Sequence, residues 1–136
     1  LLFVQRARQM DIIVQKIDSA NGEPLWTTQY GSAETDWVTD MTVDANGRIY
    51  VVGETLGSLE EGKTNPDANA IFLAKFDPAG TLLLARQWNS SGFETPTAVT
   101  VDACERAFVV GYTTGNLLGQ SNGGRDGFIL PVFTRQ

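Results

Sequence analysis

The 136-residue chain contains no histidine and a single cysteine, Cys104. The first absence removes Ser-His-Asp and Cys-His nucleophilic chemistry, together with the imidazole ligands usual at zinc sites. The second excludes an intrachain disulfide and a thiolate metal cluster, and leaves Cys104 as a small thiol beside a turn. Long apolar runs are missing too, since none approaches the about 20 residues that a membrane-spanning helix needs. Positive charge is scarce: ten Lys and Arg stand against sixteen Asp and Glu, for a net charge of −6, and the basic residues are scattered. Binding to a phosphate backbone requires a basic face, so nucleic acid is not an expected partner. No basic segment followed by an apolar stretch opens the chain, so no leader peptide is legible in it.

What the chain does have is repetition. Val43–Gly57, "VDANGRIYVVGETLG", returns as Val101–Gly115, "VDACERAFVVGYTTG", at an offset of 58. At the same offset Gly22 meets Gly80, Leu25 meets Leu83, Gln29 meets Gln87 and Leu59 meets Leu117. One residue further on, Lys16 and Asp18 meet Lys75 and Asp77. A third copy begins at "DGFILPVF", Asp126 to Phe133, echoing "NAIFLAKF". A period of this length means a solenoid, a propeller or an array. The organisation read from it is a leader or edge strand over 1–10, then a repeat region over 11–136. That region divides into repeat one (11–68), repeat two (69–125) and a partial third (126–136). The leader is equally compatible with an edge strand and with a frayed or helical segment, because Leu, Gln, Arg and Ala favour helix.

Each unit reads as four short strands rich in Val, Ile, Thr and aromatics, punctuated by Gly, Asn and Asp. In the second copy these are "AIFLAKFD", "TLLLARQW", "PTAVTVD" and "RAFVVGYT". Asp44-Ala-Asn-Gly47 offers an Asx-type turn and an Asn-Gly pair tolerant of positive φ, and so predicts a hairpin. In the second copy Cys104-Glu105 replaces Asn-Gly, which predicts a looser or differently turned hairpin. Asp44 and Asp102 are read as turn formers rather than as chemistry. The runs Ile49–Val52, Ala107–Val110, Ile71–Ala74 and Phe128–Leu130 are unbroken apolar, so both faces of those strands need cover. Sheets stacked between like sheets provide it, which is the geometry of β-propeller blades. The expected core is Ile13, Val43, Val51, Phe72, Leu73, Val99, Val101, Val109 and Ile129.

These residues resemble the bacterial β-propeller repeat family labelled SBBP, of the seven-bladed type. The resemblance is carried by Asp11, Lys16, Gly22, Leu25-Trp26, Gln29-Tyr30-Gly31, Asp36 and Val43 to Thr55. The second copy keeps Lys75, Asp77, Gly80, Gln87-Trp88 and Val101 to Thr113, and departs at Leu84, Asn89, Glu94 and Glu105. The resemblance implies an all-β chain of four-stranded antiparallel blades, here an incomplete propeller of about two and a half. It also implies an exported protein: extracellular, on the cell surface or periplasmic. It assigns no catalytic residue.

The expected function is a non-catalytic interaction or scaffold module that binds a protein or carbohydrate through its blade-end loops. The connections Leu56–Asn69 and Thr114–Arg125 are the variable material, read as solvated loops. Trp37, Phe93 and Tyr112 are the candidate ligand contacts; no residue is singled out as catalytic, cofactor-binding or metal-ligating. The alternative is part of a carbohydrate-active lyase or hydrolase, for which Asp36, Asp40, Glu54 and Glu94 are the available carboxylates. Calcium at Glu60, Glu61 and Asp67 is a third possibility, without the Asp-x-Asp-x-Asp-Gly spacing that would support it. Bare apolar sheet faces at the ends of the array lead to the expectation of further blades in a longer chain, or of self-association.

Overall fold

A computed structural model describes residues 4–6, 9–63, 69–119 and 121–135. Part of the leader, Asp67 and the middle of the Leu56–Asn69 connection lie outside the described residues. The described residues form strands and turns with no helix. The strands are β1 (Val4–Arg6), β2 (Gln9–Ile17), β3 (Pro24–Tyr30), β4 (Asp36–Val43) and β5 (Ile49–Thr55). They continue with β6 (Ala70–Phe76), β7 (Leu82–Trp88), β8 (Glu94–Val101), β9 (Arg106–Thr113) and β10 (Asp126–Phe133). Three antiparallel sheets result: a first of order β1-β2-β3, a middle of order β4-β5-β6-β7 and a last of order β8-β9-β10. This all-β arrangement of meandering antiparallel sheets is that of propeller-like blades. Val4–Arg6 takes the edge-strand option, paired with Gln9–Asp11.

Stacking explains the apolar runs. One face of the middle sheet, through Tyr50, Val52, Ile71 and Leu73, packs on Val99, Ala107, Val109, Phe128, Leu130 and Val132 of the last sheet. Its other face, through Ile49, Val51, Phe72, Ala74 and Phe76, packs on Ile12 and Val14 of the first sheet. Hence β6 is buried along its whole length, while β10 alternates buried and exposed. Burying a Val, Leu, Ile or Phe side chain contributes about 1.5–3 kcal/mol, so these two interfaces dominate the stability.

The two hairpins pair as the repeat predicts. Thr42 faces Tyr50 and Val43 faces Ile49; Thr100 faces Phe108 and Val101 faces Ala107. Both first strands carry an irregularity at the same place, between Val38 and Asp40 and between Pro96 and Ala98. Its effect shows at the glycine of each "VVG". A Cβ on Gly53 would sit 1.8 Å from the Trp37 carbonyl oxygen, and one on Gly111 2.2 Å from that of Thr95. The bulged strand folds its backbone over the neighbouring strand, and only glycine leaves room for it.

Three expectations are corrected. Val43 is half exposed, because it lies at the end of β4 on the edge of the middle sheet, beside the buried Ile49. Ile129 is 64% exposed. Matching the leading Asp126 to Asn69 would make Ile129 the counterpart of Phe72. The observed ladders instead equate Phe128 with Phe72, since each faces the glycine of its "VVG" strand. A one-residue slip moves a side chain to the opposite face, which here is bare. The Cys104-Glu105 turn is not looser, either. Glu105 donates its N–H to Asp102 O at 3.1 Å as Gly47 does to Asp44 O at 3.0 Å, and Glu105 takes φ +63° where Gly47 takes +78°.

Candidate functional site

The middle and last sheets each have a tight-turn end and a long-loop end, and the two ends differ in chemistry. At the turn end, the left-handed backbone of Glu105 is held by a network of charges. Its carboxylate pairs with Arg48 and, at 3.2 Å, with Lys75 Nζ. Lys75 is almost fully buried and also donates to Thr134 O at 2.9 Å, while Thr134 Oγ1 donates to Glu105 O at 2.6 Å. Arg48 pairs in turn with Asp44 at 2.7 Å, and Tyr50 donates its hydroxyl to the same Asp44 oxygen. The hydrogen bond from Lys75, with help from Arg48, keeps the Glu105 carboxyl below its ordinary pKa. Burial pushes Asp44 up, but the Arg48 N–H and guanidinium and the Asn46 N–H outweigh it, and the net shift is downward. These bonds clasp the middle sheet to the last one.

At the loop end, one device is built twice. Asp36 is buried and accepts from Ser32 N–H at 2.7 Å, Ser32 Oγ at 3.0 Å and Thr55 Oγ1 at 2.5 Å. Thr55 Oγ1 accepts from Gly57 N–H, and a Cβ on Gly57 would strike Ser32 Oγ at 2.2 Å. In the second copy Ser90, Glu94, Thr113 and Gly115 repeat the arrangement. The longer Glu94 side chain brings only Oε1 to the hydroxyls, and its buried Oε2 has no partner among the described residues. Burial raises the pKa of Asp36 above its ordinary value, with the charge of Asp11 adding to it and the bonds from Thr55 and Ser32 opposing it.

The other carboxylates named from the sequence are also engaged. Asp40 Oδ2 accepts from Val99 N–H at 2.9 Å, and Glu54 Oε2 accepts from Asn69 Nδ2 at 2.8 Å. Glu60 Oε2 accepts from Gln87 N–H at 2.7 Å. The loop that carries Glu60 is anchored: Leu59 is buried in the interface between the first and middle sheets, and Leu117 packs at the corresponding place on the other interface. The reading of these connections as wholly solvated is therefore corrected at Leu59 and Leu117, two apolar residues whose recurrence at the repeat offset was the signal. Among the described residues, no cluster of three or more Asp, Glu or Cys has metal-holding geometry.

The aromatic candidates divide. Trp37, exposed at the start of β4, lies opposite Glu54, and Phe93, 62% exposed, immediately precedes Glu94. Asn69 Nδ2 bridges Glu54 Oε2 and the Glu94 carbonyl, so Trp37 and Phe93 flank one seam between the middle and last sheets. Tyr112 lies apart, on the bare face of the last sheet, with the Arg125 guanidinium 4.8 Å from its ring centre. A feature that the sequence reading missed lies at the turn end. It is an apolar cleft of about 280 Å³ between the first and middle sheets, lined by Val14, Ile17, Trp26, Met41, Val43 and Pro78, with Lys16 at its rim. Trp26 donates its indole N–H to Pro78 O across it, at 3.1 Å. Half-exposed Val43 lines this cleft, which depends on packing between repeats that strand periodicity does not report.

No curated protein matches the chain. Residues 25–60 match the family model described as SBBP, beta-propeller repeat. The matched segment runs from the edge strand of the first sheet, through the Asp36 network and the first hairpin, to the anchored Leu59, and over that length the chain is similar to the SBBP beta-propeller repeat.

Proposed function

We propose that the chain is a non-catalytic interaction or scaffold module of an exported or surface protein, binding a protein or carbohydrate ligand at the loop ends of its sheets. The observation that carries this reading is the division of labour at that end. Asp36, Asp40, Glu54 and Glu94 all hold backbone or side-chain donors in place, while Trp37 and Phe93 present aromatic surface to solvent along one seam. Exposed aromatic rings on a rigid frame suit stacking against sugar rings or apolar peptide side chains at low entropic cost. The exported location rests on the family resemblance.

The test is a titration of the chain with oligosaccharide and peptide panels, read by tryptophan fluorescence and calorimetry. Binding that weakens at least tenfold in Trp37→Ala or Phe93→Ala, at unchanged urea midpoint, is the expected result. Turnover of a polysaccharide that is abolished by Glu54→Gln would overturn it in favour of a carbohydrate-active enzyme.

A further inference from the structure

Among the described residues every ion pair lies at the turn end, on Asp44, Glu105 and Asp102. The seam between the middle and last sheets at the loop end has carboxylates and no counter-charge. In β5, Glu54 shares a face with Tyr50 and Val52, the face that packs on the last sheet. In β8, Glu94 stands opposite Thr113, on the face of Ala107 and Val109 that packs on the middle sheet. Two carboxylate side chains therefore enter one interface from opposite sides. The Asn69 carboxamide joins them by donating to Glu54 Oε2 and to the Glu94 carbonyl. Glu94 is fully buried, and its Oε2 has no partner among the described residues. The cations of the adjoining loops are placed elsewhere: Arg125 lies over the Tyr112 ring, and Lys63 belongs to the loop that Leu59 anchors in the other interface. Burying charge without a counter-charge is costly. Here the missing counter-charge adjoins an exposed ring, because Trp37 stands directly opposite Glu54.

We propose that the ligand of this seam is a peptide, held by a basic side chain, lysine or arginine. The inference rests on the reading of the Trp37–Phe93 seam as a ligand site and names the chemistry that it selects. The cation lies over the Trp37 indole and donates to the Glu54 carboxylate, while the Glu94 charge across the interface adds attraction that solvent screens little. Indole and carboxylate side by side suit a methylene stem that ends in a charge: the carbons cover the ring and the head meets the carboxylate. A sugar stacks its C–H face on a ring and carries an amine at its edge, so a stacked amino sugar does not put its charge over the indole. The net charge of −6 draws basic peptides toward the chain, and this seam gives that attraction a geometry.

The probe is a glycine-rich peptide with blocked ends and one lysine, titrated into the whole chain and followed by NMR at the Asn69 carboxamide N–H resonances. The same peptide with its lysine ε-acetylated keeps the stem and loses the charge, so it tests the proposal without any change to the protein. The lysine peptide is expected to bind at least tenfold more tightly than the acetylated one, and to lose at least tenfold in Glu54→Gln and in Trp37→Ala. A Gln at position 54 keeps an acceptor for Asn69, and the urea midpoint of Glu54→Gln checks that the seam is intact. Equal affinity of the two peptides overturns the proposal. If Trp37→Ala then weakens both, the seam is still a ligand site; if it weakens neither, that reading fails as well. Lysine-peptide binding that survives both substitutions also overturns the proposal, because net charge alone then accounts for it. So does a glucosamine oligomer that outcompetes the peptide, which makes the ligand a carbohydrate.

Discussion

Replacing Gly53 by Ala tests the bulge that shapes the first strand of the middle sheet. The added methyl would lie 1.8 Å from the Trp37 carbonyl oxygen, 2.8 Å from its carbon and 2.9 Å from Phe72 Cε1. Two of these atoms are backbone, and the third belongs to a fully buried ring, so no flexible tip can swing aside. The loop-end half of β4 has to move off β5, which breaks the pairing of Trp37 with Glu54 and of Asp36 with Thr55. At about 1 kcal/mol net per ladder bond, plus the orphaned donors around Asp36, the cost comes to about 3–5 kcal/mol. That is a large share of the 5–15 kcal/mol typical of a small domain. The control is Gly22→Ala, where φ is +76° and nothing lies within 4 Å of the new Cβ. It carries only the left-handed backbone cost, about 1–2 kcal/mol. Urea unfolding followed by tryptophan fluorescence gives both values by linear extrapolation. If Gly53→Ala falls within 1 kcal/mol of Gly22→Ala, the placement of the bulged carbonyl is wrong.

Val109→Ala and Val51→Ala each remove methyl groups from a packed interface and should cost about 1–3 kcal/mol in urea, whereas Ile129→Ala on the bare face should stay within about 0.5 kcal/mol. Asp36→Ala leaves the Ser32 N–H and the Thr55 hydroxyl without their acceptor, and should lower stability by about 2–3 kcal/mol in the same assay. Asp44, Asp102 and Glu105 have folded pKa values below their ordinary values, Asp102 chiefly through the Arg106 N–H. Their contribution is complete above the ordinary values of 3.8 to 4.5 and is lost as pH falls through the lower folded ones. Asp36 has the opposite sign: its raised folded pKa gives stability that is present below 3.8 and lost as pH rises through the raised value. Urea midpoints measured down to about pH 3 should therefore fall in wild type and fall more steeply in Asp36→Ala, which lacks the compensating group.

Local chemistry was legible in the sequence, and relations between sheets were less so. The Asp44 turn, the paired hairpins and the apolar runs follow from residue types at short range, and the structure has them. Glu105 was misread because the support for its left-handed backbone comes from Arg48, Lys75 and Thr134, all of them at least 29 residues away. Ile129 was misread because a leading Asp is weaker evidence of register than the phenylalanine that must face a glycine. Of the candidate site, Trp37 and Phe93 were identifiable as aromatics near turns. That they share a seam depends on Asn69 bridging two strands, and no spacing rule carries that information.

The clasp at Glu105 bears on the order in which the molecule opens. The middle sheet packs against both neighbours, while the first and last sheets each rest on it through one face. In such an array the ends open locally at small free energy, and the centre opens only when both contacts are lost. Glu105, Lys75 and Arg48 fasten the last sheet through charges, whereas Trp26, Thr28 and Tyr30 hold the first through neutral hydrogen bonds to Pro78, Gly80 and Leu59, so the two ends should differ in lifetime. Amide protons of β2 and β3 should exchange first, those of β8 and β9 later, and those of β5 and β6 only with global unfolding. The molecule is thus ratcheted toward opening from its N-terminal side.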